Sequence, residues 1–407
     1  MIFDANIGEH EYSEFVKSNK LSHFLKSYEW GQVCITRGFK PYYVGVRKDG
    51  KLLATALLLK KRLPFGYSYF YIPRGFTIDY TDSELLKFFT LEIAKFTKGK
   101  KSIFFKIDPD IKLHTIDSNA KVVDGENNYK LVNLLKELGF KRKKLNLYFE
   151  NMQPRFTFRV SLTGSIDEIR SRYSQSVRRW IKVANKYNVE TKIGTEKDLD
   201  EFINLMKMTE KRQGFYSHSY TFYPKLYDIF SKSNSISLML ATVNLPSICS
   251  KLEEEIGACA DEVKKEKLLK NLEKYKLIGQ SYKDKVVSSY INIHYGNKSW
   301  YLYGANDMDF KDTYANYKLF DYQIEKSKEL GLEIFDEFGT VGDPNTKKSV
   351  GGLHEFKKKF GGEYTEFIGE FDYPTRRLMY FIFKTFVPLY SKILLKIRHL
   401  KVKKNKD

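Results

Sequence analysis

The chain has 407 residues, of which 42% are hydrophobic and 15% aromatic, and its formal net charge is +20. This length accommodates two or three domains with cores of their own, and the aromatic content excludes a disordered protein. The positive charge predicts attraction to a polyanion. RNA, an anionic membrane and a pyrophosphate-bearing substrate all satisfy that prediction, as does a merely lysine-rich surface.

The three cysteines, Cys34, Cys249 and Cys259, have neither the CxxC spacing nor the neighbouring histidines of a zinc site. We therefore predict no metal, no disulfide framework and a reducing compartment. Residues 1–15 lack the basic, then apolar, then small-residue order of a signal peptide, and no uninterrupted apolar run is long enough to span a bilayer. These features predict a cytoplasmic protein.

The first part of the chain follows a pattern of hairpin, strand, helix and strand. Apolar runs at 42–46 and 52–59 flank Asp49-Gly50, a dipeptide typical of hairpin turns. The other predicted elements of this pattern are a strand at 68–72, a helix at 83–98 and a strand at 102–107 that ends at Asp108-Pro109.

The same order recurs later in the chain, after a predicted helix and strand at 199–212 and 237–243. Its members are strands at 286–294 and 299–303, a turn at Tyr303-Gly304-Ala305-Asn306, a helix at 315–328 and a strand at 333–338. This duplication of pattern predicts two similar mixed lobes of the α/β (α+β) class. The predicted divisions are a first lobe at 1–155, a second lobe at 156–375 and a tail at 376–407.

Two helical segments are predicted within the second lobe. The first, at 166–187, carries several cations around apolar residues and an aromatic. It is predicted either to contact a phosphate backbone, through Arg178, Arg179 and Lys182, or to present a solvated face. The second segment, an insertion at 247–285, repeats apolar residues three and four apart, and we predict a short helical stub of unassigned role.

In the tail, from Pro374 onward, bulky apolar residues are interrupted by lysine and arginine. This pattern is typical of a helix that lies in the interface of an anionic membrane. A terminal helix packed on its own domain and broken at Pro388 is the alternative.

The segment from Asp336 to Asp372 is rich in glycine and is predicted to carry the chemistry. We predict that the pair Gly351-Gly352 supplies positive φ angles and lets another molecule approach the backbone. Lys357 and its two following lysines would place cations beside that opening. A tight surface loop with solvated charges is the alternative.

These motifs, in their order and spacing, resemble the Fem family of peptidoglycan bridge-forming aminoacyltransferases (FemA/FemX/MurM-like). The motifs that carry the resemblance are Phe24-Leu25-Lys26-Ser27 with Trp30-Gly31, Tyr71-Ile72-Pro73-Arg74-Gly75, Phe105-Lys106-Ile107-Asp108-Pro109, Tyr301-Leu302-Tyr303-Gly304, and Gly352-Leu353 with Phe356-Lys357 and Phe360-Gly361-Gly362. The resemblance implies two acyltransferase-like lobes of the GNAT type. It also implies transfer of an aminoacyl group from aminoacyl-tRNA to the stem-peptide amine of lipid II or of UDP-MurNAc-pentapeptide, without a cofactor.

The resemblance places Asp108 and Lys357 in catalytic positions. Asp108 would orient or deprotonate the attacking amine, although an Asp-Pro turn that only caps the strand fits equally well. Lys357 would place positive charge against the ester carbonyl or the tRNA 3′ end, with Phe356 as its support.

The remaining residues implied by the resemblance bind substrates. Arg212 would hold a pyrophosphate, unless it only interacts with the dipole at its helix end, and Tyr303 would line the substrate site, unless it is a core aromatic. Arg74 is predicted to bind the substrate and Lys358 the tRNA. Where members of the family that use UDP-linked precursors carry a phosphate-binding lysine, this chain has Cys34, which favours lipid II as the acceptor and, with it, membrane contact by the tail.

Two alternatives of other classes stay open at this point. One is a non-catalytic RNA- or membrane-binding protein that kept the fold. The other is an N-acyltransferase that uses acetyl-CoA, although the chain has no clear Gln/Arg-x-x-Gly-x-Gly/Ala loop for the pyrophosphate of that cofactor. The sequence does not indicate which amino acid is transferred.

Overall fold

A computed structural model describes residues 1–148, 152–213, 218–346 and 350–386 of the protein. Its first elements in chain order are β1 (Ile2–Asp4), α1 (Glu9–Ser18), α2 (Tyr28–Thr36), β2 (Phe39–Lys48), β3 (Lys51–Arg62), β4 (Ser68–Ile72), α3 (Ser83–Gly99), β5 (Ser102–Ile107), β6 (Lys112–Ile116), β7 (Val122–Asn127), α4 (Tyr129–Glu137) and β8 (Lys141–Arg142).

The elements that follow form the rest of the described chain. They are β9 (Phe156–Ser161), α5 (Ile166–Ser171), α6 (Gln175–Lys186), β10 (Glu190–Ile193), α7 (Leu199–Gln213), α8 (Phe222–Ser231), β11 (Ile236–Asn244), α9 (Leu245–Gly257), α10 (Glu262–Gly279), β12 (Asp284–Tyr295), β13 (Lys298–Asn306), α11 (Ala315–Glu329), β14 (Ile334–Thr340), α12 (Val350–Lys358), β15 (Glu363–Phe367) and β16 (Phe371–Pro374). Residues 377–386 are helical.

Contacts divide the chain into two units. The first combines residues 1–115, 124–145 and 367–407, and the second combines residues 116–123 and 146–366. The first unit is therefore made of three separate pieces of the chain. The three-part division predicted from the sequence stays a prediction.

The sheet of the first unit has the order β1-β2-β3-β4-β5-β16-β8. The hairpin of β2 and β3 turns at Asp49 and Gly50, which both have positive φ, as the Asp-Gly signal predicts. The side chain of Asp82 accepts a hydrogen bond from Leu85 N at 2.9 Å and begins α3. The apolar face of α3 then packs in the core of this unit.

Strand β16 closes this sheet from the far end of the sequence. It pairs with β5 on one side and β8 on the other. Lys106 on β5 forms buried ion pairs with Glu370 at 2.8 Å and with Asp372 at 2.6 Å. Because burying an unpaired charge is costly, these pairs hold β16 in this register.

In the second unit the strands run in the order β10-β11-β12-β13-β14-β9-β15. Strands β11, β12 and β13 are antiparallel, and β14 is parallel to β13 after the crossover helix α11. The first unit repeats this arrangement, since β5 is parallel to β4 after α3. The predicted recurrence of hairpin, strand, helix and strand is confirmed.

Three local predictions are wrong. The segment 166–187 forms two helices, because the Ser174 side chain accepts a hydrogen bond from Val177 N and starts α6 anew. The residues from Tyr303 to Asn306 continue β13 because they pair with β12, so they do not turn. The pair Gly351-Gly352 lies in the first turn of α12 and has no positive φ; that conformation occurs instead at Gly361, Gly369 and the non-glycine residue Phe338.

The insertion folds as two helices, α9 and α10, which pack on each other and on the core of the second unit through residues such as Leu252, Leu268 and Leu272. In the tail, the rings of Tyr380 and Phe383 pack on Phe104 in the first unit, at 5.5 and 5.4 Å between ring centroids. The rest of the predicted tail, residues 387–407, lies outside the described residues.

Candidate functional site

A pocket of about 650 Å³ opens in the second unit among α7, β13, α12 and the end of β14. Three residues predicted to act in the chemistry, Arg212, Tyr303 and Lys357, all line it. The other lining residues are Pro154, Met206, Thr209, Gln213, Tyr301, Leu302, Gly304, Asn306, Met308, Phe338, Gly339, Gly352 and Leu353. Its wall is thus partly aromatic and partly exposed backbone, with cationic groups from two helices.

Lys357 reaches this pocket from the last turn of α12. Its Nζ donates hydrogen bonds to three consecutive backbone carbonyls, those of Glu337, Phe338 (3.1 Å) and Gly339 (2.8 Å). The ammonium also lies 5.3 Å from the centroid of the Tyr301 ring. Burial lowers the pKa of Lys357 to about 8, against the opposite effect of Glu337 and Asp336. The residue is therefore a buried cation at neutral pH, and it loses its charge at mildly alkaline pH.

The end of β14 is built to present these carbonyls. Phe338 has φ +57°, a conformation that a bulky residue adopts only where its surroundings impose it. The carboxylate of Asp336 accepts hydrogen bonds from Phe338 N at 2.8 Å and from Thr157 Oγ1 at 2.5 Å, and Arg159 Nε donates to its second oxygen at 2.8 Å. The bend at Phe338 is thereby fixed, and Lys357 has a rigid acceptor.

Glu337 lies beside this bend and is fully buried. Neither carboxyl oxygen has a hydrogen-bond partner among the described residues. Burial raises the pKa of Glu337 well above its ordinary value, and the nearby charge of Lys357 only partly opposes this. The side chain is thus a buried carboxyl group with a raised pKa, next to the cation of the pocket.

Tyr303 and Arg212 face the pocket from β13 and α7. The Tyr303 hydroxyl lies 2.9 Å from Nε2 of His218, so this tyrosine has a polar partner and is not simply a core aromatic. The exposed Arg212 donates a hydrogen bond to Asn306 O at 3.3 Å, which leaves most of its guanidinium donors for other partners. Its predicted role with a pyrophosphate stays a prediction.

Asp108 and Arg74 lie together in the first unit. The Asp108 carboxylate accepts hydrogen bonds from the backbone N of Arg74 at 2.7 Å and from the Tyr71 hydroxyl at 2.9 Å. Arg74 has φ +54°, so Asp108 stabilises a strained turn that follows β4. Burial raises the pKa of Asp108 to about 7, and the positive charge of Arg74 limits this increase. The same carboxylate is thus also able to exchange a proton near neutral pH.

The other predicted site residues are spread over the second unit. Phe356 packs in the core against Tyr317 and Phe320, at 5.1 Å from each ring. Lys358 donates to Ser118 O at 3.3 Å. The predicted tRNA-binding residues Arg178, Arg179 and Lys182 are exposed on α6.

The predicted position for a phosphate contact in the first unit carries no charge at neutral pH. Cys34 is buried on α2, and burial raises the pKa of its thiol to about 12. Among the described residues, no three His, Cys, Asp or Glu side chains are grouped so as to hold a metal ion. No described helix is both long enough and apolar enough to cross a membrane.

Comparison with known proteins places the chain in a family. A family model described as the FemAB family matches residues 7–276 and 261–387. The chain belongs to the FemAB family. The resemblance seen in its motifs is thereby confirmed.

Curated relatives match this FemAB chain from end to end. The lipid II:glycine glycyltransferase of Staphylococcus aureus strain MRSA252 is 28% identical over 429 residues, covering 98% of this chain and 99% of the relative. The protein of the same name from Staphylococcus epidermidis strain ATCC 12228 is 28% identical over 426 residues, with the same coverage.

Solved structures agree on the fold of this FemAB chain. A crystal structure of FemX is 24% identical and superimposes with a TM-score of 0.79 over 94% of this chain and 99% of that one. A tandem GNAT protein from the clavulanic acid biosynthesis pathway is 7% identical, with a TM-score of 0.50 over 92% and 98%. The predicted fold class, mixed α/β with two GNAT-like lobes, is confirmed.

The sequence interpretation missed Glu337, the buried acid beside Lys357 in this FemAB chain. Asp336 and Glu337 are adjacent at the end of a predicted strand, where alternation would place one of them in solvent. The bend at Phe338 buries both. No pattern in the sequence indicates a positive φ at a phenylalanine, so the burial of Glu337 was not predictable.

The pKa values of Asp108 and Lys357 predict a bell-shaped pH profile of kcat/KM for this FemAB chain. A base at Asp108 is active above a pKa of about 7, so activity is lost as the pH falls. A cation at Lys357 is lost as the pH rises through about 8. The profile of the wild type is therefore expected to peak between these two values.

Two variants test which residue causes the acid limb and which causes the alkaline limb of this pH profile. Asp108→Asn is expected to flatten the acid limb, and Lys357→Arg to move the alkaline limb upward, because a guanidinium stays charged in this range. The acceptor amine titrates in all variants alike, so only differences between them count. An unchanged acid limb in Asp108→Asn would leave Asp108 the purely structural role of holding the Arg74 turn.

Proposed function

We propose that this protein is an aminoacyltransferase that extends the stem peptide of lipid II by one amino acid, with aminoacyl-tRNA as the donor. The observation that carries the proposal is the pocket that brings together Arg212, Tyr303 and Lys357. It lies in a FemAB chain that lipid II:glycine glycyltransferases match over nearly its full length. Glycine is accordingly the first amino acid to test.

The proposed chemistry is direct transfer between two bound substrates. The stem-peptide amine attacks the ester carbonyl of the aminoacyl-tRNA, a C–N bond forms, and the C–O bond to the ribose breaks. The amine loses a proton and the ribose oxygen gains one, so the step needs no external oxidant, reductant or cofactor. Holding both reactants in one geometry supplies much of the rate in such a reaction.

Lys357 supports this step as a source of positive charge. Negative charge develops on the carbonyl oxygen during aminolysis, and a preorganised cation in a water-poor pocket stabilises it strongly. The ammonium of Lys357 donates hydrogen bonds to the carbonyls of residues 337–339. The cation therefore acts through its field, or donates directly after exchanging one of these bonds.

A transfer assay tests the proposal. Purified protein is incubated with lipid II, or with UDP-MurNAc-pentapeptide, and with tRNA charged in turn with labelled glycine, alanine and serine. We expect RNase-sensitive labelling of lipid II, with glycine as the preferred donor. Labelling of the UDP-linked acceptor alone would contradict the proposed acceptor, and labelling that survives RNase would contradict the proposed donor.

Acetyl-CoA serves as the control donor in the same assay. If labelled acetyl-CoA modified the stem peptide and charged tRNA did not, the protein would be an N-acyltransferase of a different kind. If no donor were used, binding of RNA or membrane would be its remaining function. Contact between the tail and a membrane stays a prediction that flotation with anionic vesicles would test.

A further inference from the structure

Three aromatic rings lie together at one side of the second unit, and we call them the aromatic platform: Trp180, Tyr314 and Tyr317. The rings of Trp180 and Tyr314 are nearly parallel, at 10° and 5.4 Å between centroids. The rings of Trp180 and Tyr317 are 4.4 Å apart. All three side chains are half-buried, so part of each ring is accessible to solvent.

The backbone beneath the platform is strained. Tyr314 has φ +53° between a 3-10 helix, Met308–Thr313, and α11. A non-glycine residue in this region is strained and persists only where other contacts impose it. Here the backbone N of Tyr314 donates to Lys311 O at 3.2 Å, and its carbonyl accepts from Tyr317 N at 3.0 Å. The strain brings the Tyr314 ring beside Trp180.

A lysine lies against the platform. The ammonium of Lys359 lies 4.8 Å from the centroid of the Trp180 ring, within cation–π distance. Arg178 and Lys182 of helix α6 line a separate cavity with Tyr173 and Asp321, on the other side of this helix from Trp180. Aromatic faces and a neighbouring cation are elements with which proteins bind single-stranded nucleic acids, since bases stack on the rings and phosphates contact the cation.

The platform is close to the pocket that Lys357 lines. Tyr314 and Tyr317 line a second cavity of about 320 Å³, and two of its residues, Asn306 and Met308, also line the larger pocket. The Tyr317 ring is 5.1 Å from that of Phe356, the residue before Lys357. An RNA whose bases stack on the platform would therefore have its 3′ end near Lys357.

We propose that the aromatic platform binds the unpaired 3′ end of an RNA by stacking its bases. The inference rests on the proposed function, in which that RNA delivers the amino acid. The Lys359 ammonium occupies a position over the indole that a base would take, and it would move to a phosphate when the base binds. Partly buried rings beside a cavity suit a planar ligand better than a lipid surface, which apolar side chains enter by protruding.

Fluorescence provides a direct readout, because the chain has three tryptophans and two are buried. Trp30 is 4% exposed and Trp300 is fully buried, whereas Trp180 is half-buried. We expect a short single-stranded RNA with the sequence of a tRNA 3′ end to quench the emission of the full-length protein. Trp180→Phe should remove most of that quenching while keeping binding, which an independent method such as anisotropy of a labelled RNA would measure.

Affinity separates stacking from charge. We expect Trp180→Ala to weaken binding of the RNA roughly 5- to 150-fold, the range for loss of one stacked base. An abasic oligonucleotide of the same length keeps the phosphates, and it should bind the wild type and Trp180→Ala equally. The thermal midpoints of Trp180→Phe and Trp180→Ala serve as controls for folding.

Two results would overturn the inference. One is that Trp180→Ala leaves the affinity for RNA unchanged, or lowers the affinities for the RNA and for the abasic strand by the same factor. The other is quenching by anionic lipid vesicles without quenching by RNA, which would assign the platform to a membrane. Binding is measured without transfer, so the two proposals fail separately. If RNA stacked on Trp180 but the protein transferred no amino acid, only the proposed function would be refuted. If transfer were RNase-sensitive but Trp180→Ala did not change RNA binding, only this inference would be refuted.

Discussion

Lys357→Met is expected to lower kcat/KM of aminoacyl transfer roughly 10²- to 10³-fold, the usual effect of removing one preorganised group that stabilises an oxyanion. The substitution keeps an unbranched apolar side chain as far as the ε position and removes the charged Nζ from the pocket. It also leaves the carbonyls of Glu337 and Gly339 without their Lys357 donor, which costs about 1–3 kcal/mol for a buried acceptor. Initial rates under subsaturating donor and acceptor, with a parallel unfolding curve, separate the two effects.

The neighbouring lysine offers a matched control. Lys358 is half-buried, is not among the residues that line the pocket, and donates to Ser118 O. Lys358→Met removes the same charge from the next position of the same helix. Because Lys358 is predicted to contact the tRNA, we expect a smaller loss that appears in KM for the charged tRNA and leaves kcat unchanged. Equal losses in both variants would mean that the net charge near α12 matters and that the position of Lys357 does not.

Gly361→Ala is expected to destabilise the second unit by roughly 2–4 kcal/mol, because two penalties combine. Gly361 has φ +73°, and an added Cβ would lie 2.5 Å from the backbone oxygen of Arg172. A backbone atom in a fixed turn cannot move aside as the end of a side chain does. This contact joins the end of α12 to the break between α5 and α6. Urea unfolding of the variant and the wild type measures the difference.

Gly352→Ala is the control for this experiment. Gly352 lies in α12, and an added Cβ would meet nothing within 4 Å. Alanine is favoured over glycine in a helix by up to about 1 kcal/mol, so this variant should be as stable as the wild type or more so. If Gly352→Ala were the more damaging of the two, the conformation at these glycines would differ from the one described.

The regular helices and strands could be predicted from the sequence because the residue patterns that specify them are local. The Asp49-Gly50 turn, the apolar spacing of α3 and the buried run of β5 each depend on a few neighbouring residues. The break before α6 was also locally encoded, since Ser174 is a good N-cap residue. The apolar spacing continues without a gap across Ser174, and for this reason a single helix was predicted.

Features made by distant residues did not follow from the sequence. The pair Gly351-Gly352 was predicted to have positive φ angles, and only the burial of the later residues His354 and Lys357 fixes this segment as a helix. Three residues of the candidate pocket were predicted through the family motifs, whereas its buried acid Glu337 and the platform residue Tyr314 depend on backbone bends. Such bends arise from tertiary contacts and leave no compositional trace.

The position of β16 has a consequence for how the chain is made. Proteins usually fold from the N-terminus as they leave the ribosome, yet β5 and β8 gain their shared neighbour only when Phe371–Pro374 has been synthesised. At about 5–20 residues per second, roughly ten to forty-five seconds separate the synthesis of Arg142 from that of Phe371. During that interval β5 has an open edge and Lys106 lacks its carboxylate partners. A nascent chain arrested before β16 is therefore a natural client for chaperones, while the second unit is already complete.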